Sequence, residues 1–174
     1  MELSSINKAT IETYDNPGWG ISIYFKDSIS LEKKRIKLDY NSEEDWLSIF
    51  MDTNSLDFNG DEKKLENLFI EIMDYVDFSF VSNITEVKEL LRFFQDWYTN
   101  ECDEYWEHLY GIKGEISSQG HLHLVIDLDE TRWQDEQFRN NTSCRKIGNK
   151  FLIDSDKEQI VNCLKIFKDW IEST

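Results

Sequence analysis

All three histidines of the chain lie between positions 108 and 123, close to acidic residues and a cysteine. His108 follows Glu107, and one residue separates His121 from His123. On a strand, the side chains of His121 and His123 would project to the same face. Neutral imidazoles suit Zn²⁺ when a carboxylate or thiolate joins them, and imidazole is also a general acid or base near neutral pH. The spacing leaves open a metal site or a histidine-based hydrolase.

Both of these chemical interpretations lack supporting residues. No third metal ligand stands at a recognisable spacing, and the segment has almost no positive charge that could orient a substrate. The chain also contains no glycine-rich phosphate loop, CxxC pair, nucleophile elbow or HExxH motif. We therefore expect structural or partner-facing histidines, no cofactor and no enzymatic activity.

Acidic residues are concentrated in the same part of the chain. Residues 96–136 include eleven acids but only two bases, Lys113 and Arg132, and aromatic residues are interleaved with the acids. A solvated acidic face is one explanation. The other is a docking surface, in which carboxylates pair with a basic partner and aromatic rings form the desolvated anchor. The candidate partner-binding residues are Glu101, Asp103, Glu104, Tyr105, Trp106, Glu107, Asp127, Asp129 and Glu130, with Trp133 as a weaker candidate.

The overall composition limits the possible partners. The 174 residues include 35 acids and 19 bases, which gives a formal net charge of −16. Such a surface repels phosphate backbones and anionic membranes and attracts basic proteins. The chain has no long apolar run, Met1-Glu2-Leu3-Ser4 lacks the basic and apolar regions expected of a signal peptide, and the three cysteines suit free thiols in a reducing compartment. We expect a cytoplasmic protein that does not bind nucleic acid or membranes directly.

Hydrophobic periodicity predicts the elements that position these residues. A turn at Asp15–Gly18 begins the first ordered segment, and alternation or short apolar runs then predict strands. Apolar spacings of three and four predict helices, one capped by Asp61 and another by a capping box of Ser155 and Glu158. The predicted strands are 19–25, 35–40, 46–51, 56–58, 110–116, 122–128, 144–147 and 150–154, and the predicted helices are 61–78, 85–106 and 155–172.

The pattern of the helix at 61–78 recurs 95 positions later, and that of Ile23–Phe25 recurs 103 positions later. The repeat predicts an α+β fold of two related halves, residues 1–80 and 81–174, that form one compact unit. Each half would be a small antiparallel sheet followed by an amphipathic helix, with an extra long helix between the halves. The alternative is two unrelated strand-to-helix modules that happen to look alike.

Two motifs resemble a known family. Trp97-Tyr98, followed by Cys102-Asp103-Glu104-Tyr105-Trp106-Glu107-His108 and Tyr110-Gly111-Ile112, is similar to the WY…CDGDWEH.YGI pattern of the bacterial immunity protein 53 family. Thr13-Tyr14-Asp15-Asn16-Pro17-Gly18-Trp19 resembles the TLDNPGW signature of that family. In the family the WEH segment leads directly into DNPGW. Here each half keeps one of the two signatures, as in a duplicated and diverged member.

The resemblance implies a function. The family is associated with polymorphic-toxin loci, in which a small cytosolic protein neutralises a toxin domain. We therefore expect an immunity protein that binds a cognate toxin domain and occludes its active site. The toxin would be a basic nuclease, because an acidic inhibitor can imitate the charge of the nuclease's substrate. The alternatives are a general acidic interaction module and a small hydrolase that uses the histidines.

Overall fold

A computed structural model of the chain describes residues 5–27, 34–76 and 83–173. Within these ranges the chain forms nine strands and four helices. In chain order they are β1 (Ile6–Tyr14), β2 (Gly18–Phe25), β3 (Lys34–Ser42), β4 (Asp45–Met51), β5 (Ser55–Asp61), α1 (Leu65–Tyr75), α2 (Ile84–Glu101), α3 (Trp106–Leu109), β6 (Ile112–Ser117), β7 (His121–Asp127), β8 (Cys144–Ile147), β9 (Lys150–Asp156) and α4 (Ile160–Ser173).

The strands form one antiparallel sheet in the order β3-β4-β5-β2-β1-β6-β7-β9-β8. The long helices cover one face of this sheet: α1 packs on β5, α4 packs on β8 and β9, and α2 contacts both α1 and α4. Strand β7 shows how the sequence separates the two faces, because Leu122 and Leu124 are buried while His121 and His123 are exposed. The predicted α+β class, with a long helix between the halves, is confirmed.

The strand register shows that the two halves have the same arrangement. Ile11 faces Ile21 in the β1–β2 pair, and 103 positions later Gly114 faces Leu124 in the β6–β7 pair. Further along the chain the displacement is 95, because Ile49 faces Phe58 and Cys144 faces Ile153. The displacements of 103 and 95 residues seen in the sequence therefore also relate equivalent strand pairs in the structure. The second half is eight residues shorter between its β7 and β8, and β3 has no strand counterpart there.

The halves join through the antiparallel pairing of β1 with β6. Ile11 faces Gly114 in this pair, and these two residues occupy equivalent positions in their halves. A pseudo-two-fold axis therefore passes through the Ile11–Gly114 pair. A Cβ atom at Gly114 would stand 2.6 Å from Leu124 Cδ1 and 3.2 Å from Ile11 Cγ2, so a larger residue at the axis would have to displace the Leu124 side chain.

A single hydrophobic core runs through both halves. Phe167 of α4 lies at the centre of its aromatic part and is fully buried. Its ring stacks on Phe94 of α2 at a centroid distance of 5.4 Å and meets Phe151 of β9 edge-on at 4.9 Å. Helix α2 is thus fixed to the second half of the sheet by ring contacts that bury large apolar areas.

The structure corrects the predicted helix starts. Asp61 does not cap a helix: it ends β5, and its buried carboxylate accepts the backbone N–H of Trp46 at 2.8 Å and of Lys63 at 2.9 Å. Helix α1 consequently begins at Leu65, and positions 77 and 78 of the predicted helix lie outside the described residues. Ser155 belongs to β9, and α4 begins only at Ile160.

The structure also corrects the end of one predicted helix and adds a strand that was not predicted. Helix α2 ends at Glu101 instead of continuing to 106, for a reason given by the hydrogen bonds described below. Strand β1 was missed altogether, because five of the nine residues of Ile6–Tyr14 are polar and the three apolar residues that pack against the core, Ile6, Ala9 and Ile11, do not alternate regularly. This strand is fixed by its two neighbours β2 and β6, which no local pattern reveals.

The three cysteines are free thiols, as predicted. Cys144 is fully buried, and burial raises the pKa of its thiol to about 12, so the thiol stays protonated at neutral pH. None of the described helices is long and apolar enough to cross a membrane.

We predict that Phe167→Ala lowers the free energy of unfolding by about 3–5 kcal/mol, because it leaves a cavity among several aromatic rings. Urea denaturation followed by tryptophan fluorescence measures this change. The control is Ile147→Ala, at a side chain that is 56% exposed, where the change should stay within about 0.5 kcal/mol. A loss as small at Phe167 as at Ile147 would contradict the central role of this ring.

Candidate partner-binding surface

The fold brings together the two segments that carry the predicted partner-binding residues. Segment 101–107 runs from the end of α2 into α3, and segment 127–130 follows β7. The indole N–H of Trp106 donates to the carbonyl oxygen of Asp129 at 2.7 Å. We call the surface of these two segments the acidic surface.

Tyr110 lies between the two segments. Burial raises the pKa of its hydroxyl, and the nearby carboxylates of Glu130 and Asp129 raise it further. The carboxylates of the loop after β7 therefore lie close enough to Tyr110, the residue that follows α3, to act on its hydroxyl. Glu101, the last residue of α2, is half-buried. Burial raises the pKa of its carboxyl, although the positive charge of Arg132 opposes the shift.

Asp103 and Glu107 shape the loop between α2 and α3. The Asp103 carboxylate accepts the backbone N–H of Tyr105 at 3.1 Å and of Trp106 at 2.8 Å. In return, the Glu107 carboxylate accepts the N–H of Asp103 at 3.1 Å and of Glu104 at 3.0 Å. These reciprocal bonds form a capping arrangement that starts α3 and keeps α2 from continuing. Glu107 is only 5% exposed, so its carboxylate stabilises the loop and is largely hidden from a partner.

The two predicted tryptophan anchors lie in the core. Trp106 is 2% exposed and meets the ring of Trp97 edge-on at 5.9 Å. Trp133 is 6% exposed, and its indole N–H donates to the carbonyl oxygen of Ile171 at 3.2 Å. Both rings therefore hold the acidic surface from beneath.

The exposed members of the acidic surface are Asp103, Glu104, Tyr105 and Glu130. Leu109 of α3, which the sequence analysis did not single out, is exposed beside them. Tyr105 and Leu109 are large apolar side chains with 54% and 56% exposure. Tyrosine is one of the residue types enriched at protein contact surfaces, so an exposed Tyr105 beside carboxylates suits such a surface.

Asp127 and Asp129 are half-buried and already have partners. Asp127 forms an ion pair with Lys150 at 3.1 Å, and Asp129 accepts a hydrogen bond from the Asn149 side-chain amide at 2.7 Å. They add negative potential to the surface, while their carboxylates also fix the end of β7.

Glu104 and Glu130 have backbone conformations that non-glycine residues rarely adopt. Their φ angles are +73° and +60°, and no other non-glycine residue in the described ranges has a positive φ. The left-handed region costs an L-residue about 1–2 kcal/mol. Both strained positions in the acidic surface thus carry an exposed glutamate where glycine would be easier to accommodate.

The turn between β1 and β2, residues 15–17, lies beside α3. Because β1 and β6 are antiparallel, the end of β1 adjoins the start of β6, which α3 precedes. The Tyr98 hydroxyl of α2 donates to the Tyr14 carbonyl at 3.0 Å, and the Thr13 hydroxyl accepts the backbone N–H of Ile112 at 2.9 Å. These bonds hold the turn of the first half against the second half.

Three aromatic rings in edge-on contact connect the two motifs that the sequence showed separately. Trp19, just after the turn, meets Tyr98 edge-on at 4.9 Å, and Tyr98 meets Trp106 at 6.2 Å. The DNPGW motif of one half therefore packs next to the WEH motif of the other half. The sequence contained a signal for this proximity, because each half keeps a different one of the two signatures.

The histidines do not form one site. His121 and His123 lie on the open face of β7, where their Nδ1 atoms approach Asp156 at 3.1 Å and Asp154 at 2.7 Å. His108 stands on α3 at the start of β6, which is the other end of the β6–β7 hairpin. In the parts of the chain that the structure describes, no group of three or more His, Cys, Asp or Glu side chains could hold a metal ion.

We predict that Glu104→Gly raises the free energy of unfolding by about 0.5–1 kcal/mol, because relief of the left-handed strain exceeds the entropy cost of glycine. Chemical denaturation provides the measurement. Glu89→Gly, at an exposed position inside α2, serves as the control and should lower the free energy of unfolding by about 1 kcal/mol. A loss of stability in both variants would show that position 104 stores no strain.

The comparison with known protein families agrees with the geometry. The sequence model of the family described as immunity protein 53 matches residues 5–77 and 91–172, one segment in each half. No curated protein and no solved structure shows a significant match to the chain. The two matched segments together cover most of the sequence. The chain belongs to the immunity protein 53 family and has the two-segment form expected of a duplicated member.

Proposed function

We propose that this chain binds a cognate toxin domain in the cytoplasm and blocks its active site with the acidic surface. The observation that carries the proposal is the family match in both halves, since the family consists of immunity proteins. The structure adds a surface on which Glu104 and Glu130 expose carboxylates beside the large side chains of Tyr105 and Leu109. Inhibition by occlusion requires no catalysis by the chain.

A basic nuclease is the class of toxin that fits this surface best. Nucleases bind phosphate backbones through lysine and arginine side chains. A protein with a net charge of −16 attracts such a domain over long distances and can compete with nucleic acid for its basic cleft. The attraction would be screened by salt, so association should slow as ionic strength rises.

A few contacts would supply most of the affinity. Exposed ion pairs contribute about 0–1 kcal/mol each, whereas charge pairs that lose their water in an interface show couplings of roughly 1.5–7 kcal/mol. The apolar side chains of Tyr105 and Leu109 could exclude water around the neighbouring carboxylates. Glu104 and Glu130 are therefore the acids that we expect to matter most.

The test is co-expression with the toxin domain encoded in the same locus. The unchanged chain should restore growth, and the double variant Glu104→Lys/Glu130→Lys should not, because charge reversal at two contacts weakens binding at least tenfold, or about 1.4 kcal/mol. Calorimetry with the purified toxin domain measures the affinity directly.

The matched control is Glu43→Lys/Glu44→Lys, two exposed acids in the turn between β3 and β4. It makes the same change in net charge and should leave protection intact. Equal losses in both double variants would reject the acidic surface as the binding site. Failure of the unchanged chain to protect would reject the immunity function. Glu107 is unsuitable for charge reversal, because its buried carboxylate holds the loop.

A further inference from the structure

The pseudo-two-fold axis gives the sheet two equivalent ends. At one end, the turn of residues 15–17 lies beside α3; we call this the Asp15 end. At the other end, the equivalent turn of residues 118–120 lies where β6 leads into β7; we call this the Ser118 end. A fully symmetric molecule would carry the same surface at both ends. Charged or apolar side chains that are exposed at only one end therefore distinguish a surface that the two halves do not share.

The two ends differ in charge. The exposed acids at the Asp15 end are Glu12, Asp15, Asp103, Glu104 and Glu130, and they outnumber the exposed bases near them, Lys113 and Arg132. The equivalent turn at the Ser118 end consists of Ser118, Gln119 and Gly120, none of which is charged. The charged groups around that turn are of both signs: Lys157 packs against Gly120, Lys8 is paired with Glu115 at 3.2 Å, and the exposed Asp156 lies 3.1 Å from His121.

The two ends also differ in apolar exposure. Tyr105 and Leu109 are large side chains exposed at the Asp15 end. The positions that precede Trp106 and Glu107 by 103 residues are Leu3 and Ser4, so the first half has no copy of this motif in its sequence. At the Ser118 end Ile116 is 36% exposed, but the turn beside it is uncharged. Among the described residues, only the Asp15 end combines an acidic turn with exposed large side chains.

The turn at the Asp15 end is held in place before any partner arrives. The Asp15 carboxylate accepts the backbone N–H of Asn16 at 2.9 Å, and Pro17 has a fixed φ and restricts the backbone of Asn16 before it. Gly18 is closely packed, because a Cβ atom there would lie 2.6 Å from the carbonyl oxygen of Gly60. Tyr98 holds the carbonyl before the turn. A partner that contacts Asp15 and Asn16 would therefore lose little binding energy to ordering them.

We propose that the toxin-binding surface extends across both halves, with Asp15 and Asn16 of the first half joining Glu104, Tyr105 and Leu109 of the second, so that each chain binds one toxin domain at its Asp15 end. The inference rests on the proposed function. The occupant is the basic toxin domain, because the exposed acids at this end complement a cationic surface, whereas a second copy of this chain would be repelled by its own negative charge.

The pseudo-symmetry supplies a matched experiment. Asp15→Lys/Asn16→Lys and Ser118→Lys/Gln119→Lys place the same side chains at equivalent exposed positions of the two ends. Calorimetry with the purified toxin domain should show binding weakened at least tenfold for the first variant and unchanged for the second, with one toxin domain per chain. Asn16→Lys alone avoids loss of the Asp15 hydrogen bond, and its affinity should also fall. Denaturation curves verify that each variant is folded.

The outcomes separate this inference from the proposed function. If Asp15→Lys/Asn16→Lys binds like the unchanged chain while Glu104→Lys/Glu130→Lys does not, the extension to the first half is wrong and the acidic surface stands. If both variants bind like the unchanged chain, the acidic surface and its extension both fall. Two toxin domains per chain, or an equal loss in the Ser118→Lys/Gln119→Lys variant, would overturn the single site.

Discussion

The antiparallel pairing of β1 with β6 is the contact on which the rest of the structure depends. It joins the sheets of the two halves into one, and it places equivalent residues, Ile11 and Gly114, opposite each other. An antiparallel pair reverses direction across its axis, so the end of β1 must meet the start of β6. The contact between the turn of the first half and α3 of the second half follows from this pairing.

Helix α2 stabilises the same junction from the side of the core. Its Tyr98 contacts both halves, since the ring packs between Trp19 and Trp106 while the hydroxyl binds the Tyr14 carbonyl. Its Phe94 stacks on Phe167 of α4. The acidic surface therefore stands on a rigid base, which suits a protein that acts by occupying a site on another molecule.

The acidic surface combines structural and exposed carboxylates. Asp103 and Glu107 are used inside the loop, and their hydrogen bonds end α2 and begin α3. Glu104 and Glu130 stand in left-handed conformations and expose their charges. A run of acids that looks uniform in the sequence is thus divided in the structure between residues that build the loop and residues that are free to meet a basic partner.

Sequence alone determined the α+β class, the duplication and the family, because hydrophobic periodicity, two displacements and two short motifs are local properties. It also located the acidic surface to within two segments. It could not reveal β1, whose polar residues form a strand only because β2 and β6 pair with it, nor the burial of Trp106 and Glu107. The sequence hinted at a link between the two motifs by keeping one in each half, but the contact between them was decided by the tertiary structure, since it depends on the antiparallel pairing of β1 with β6 across the pseudo-two-fold axis.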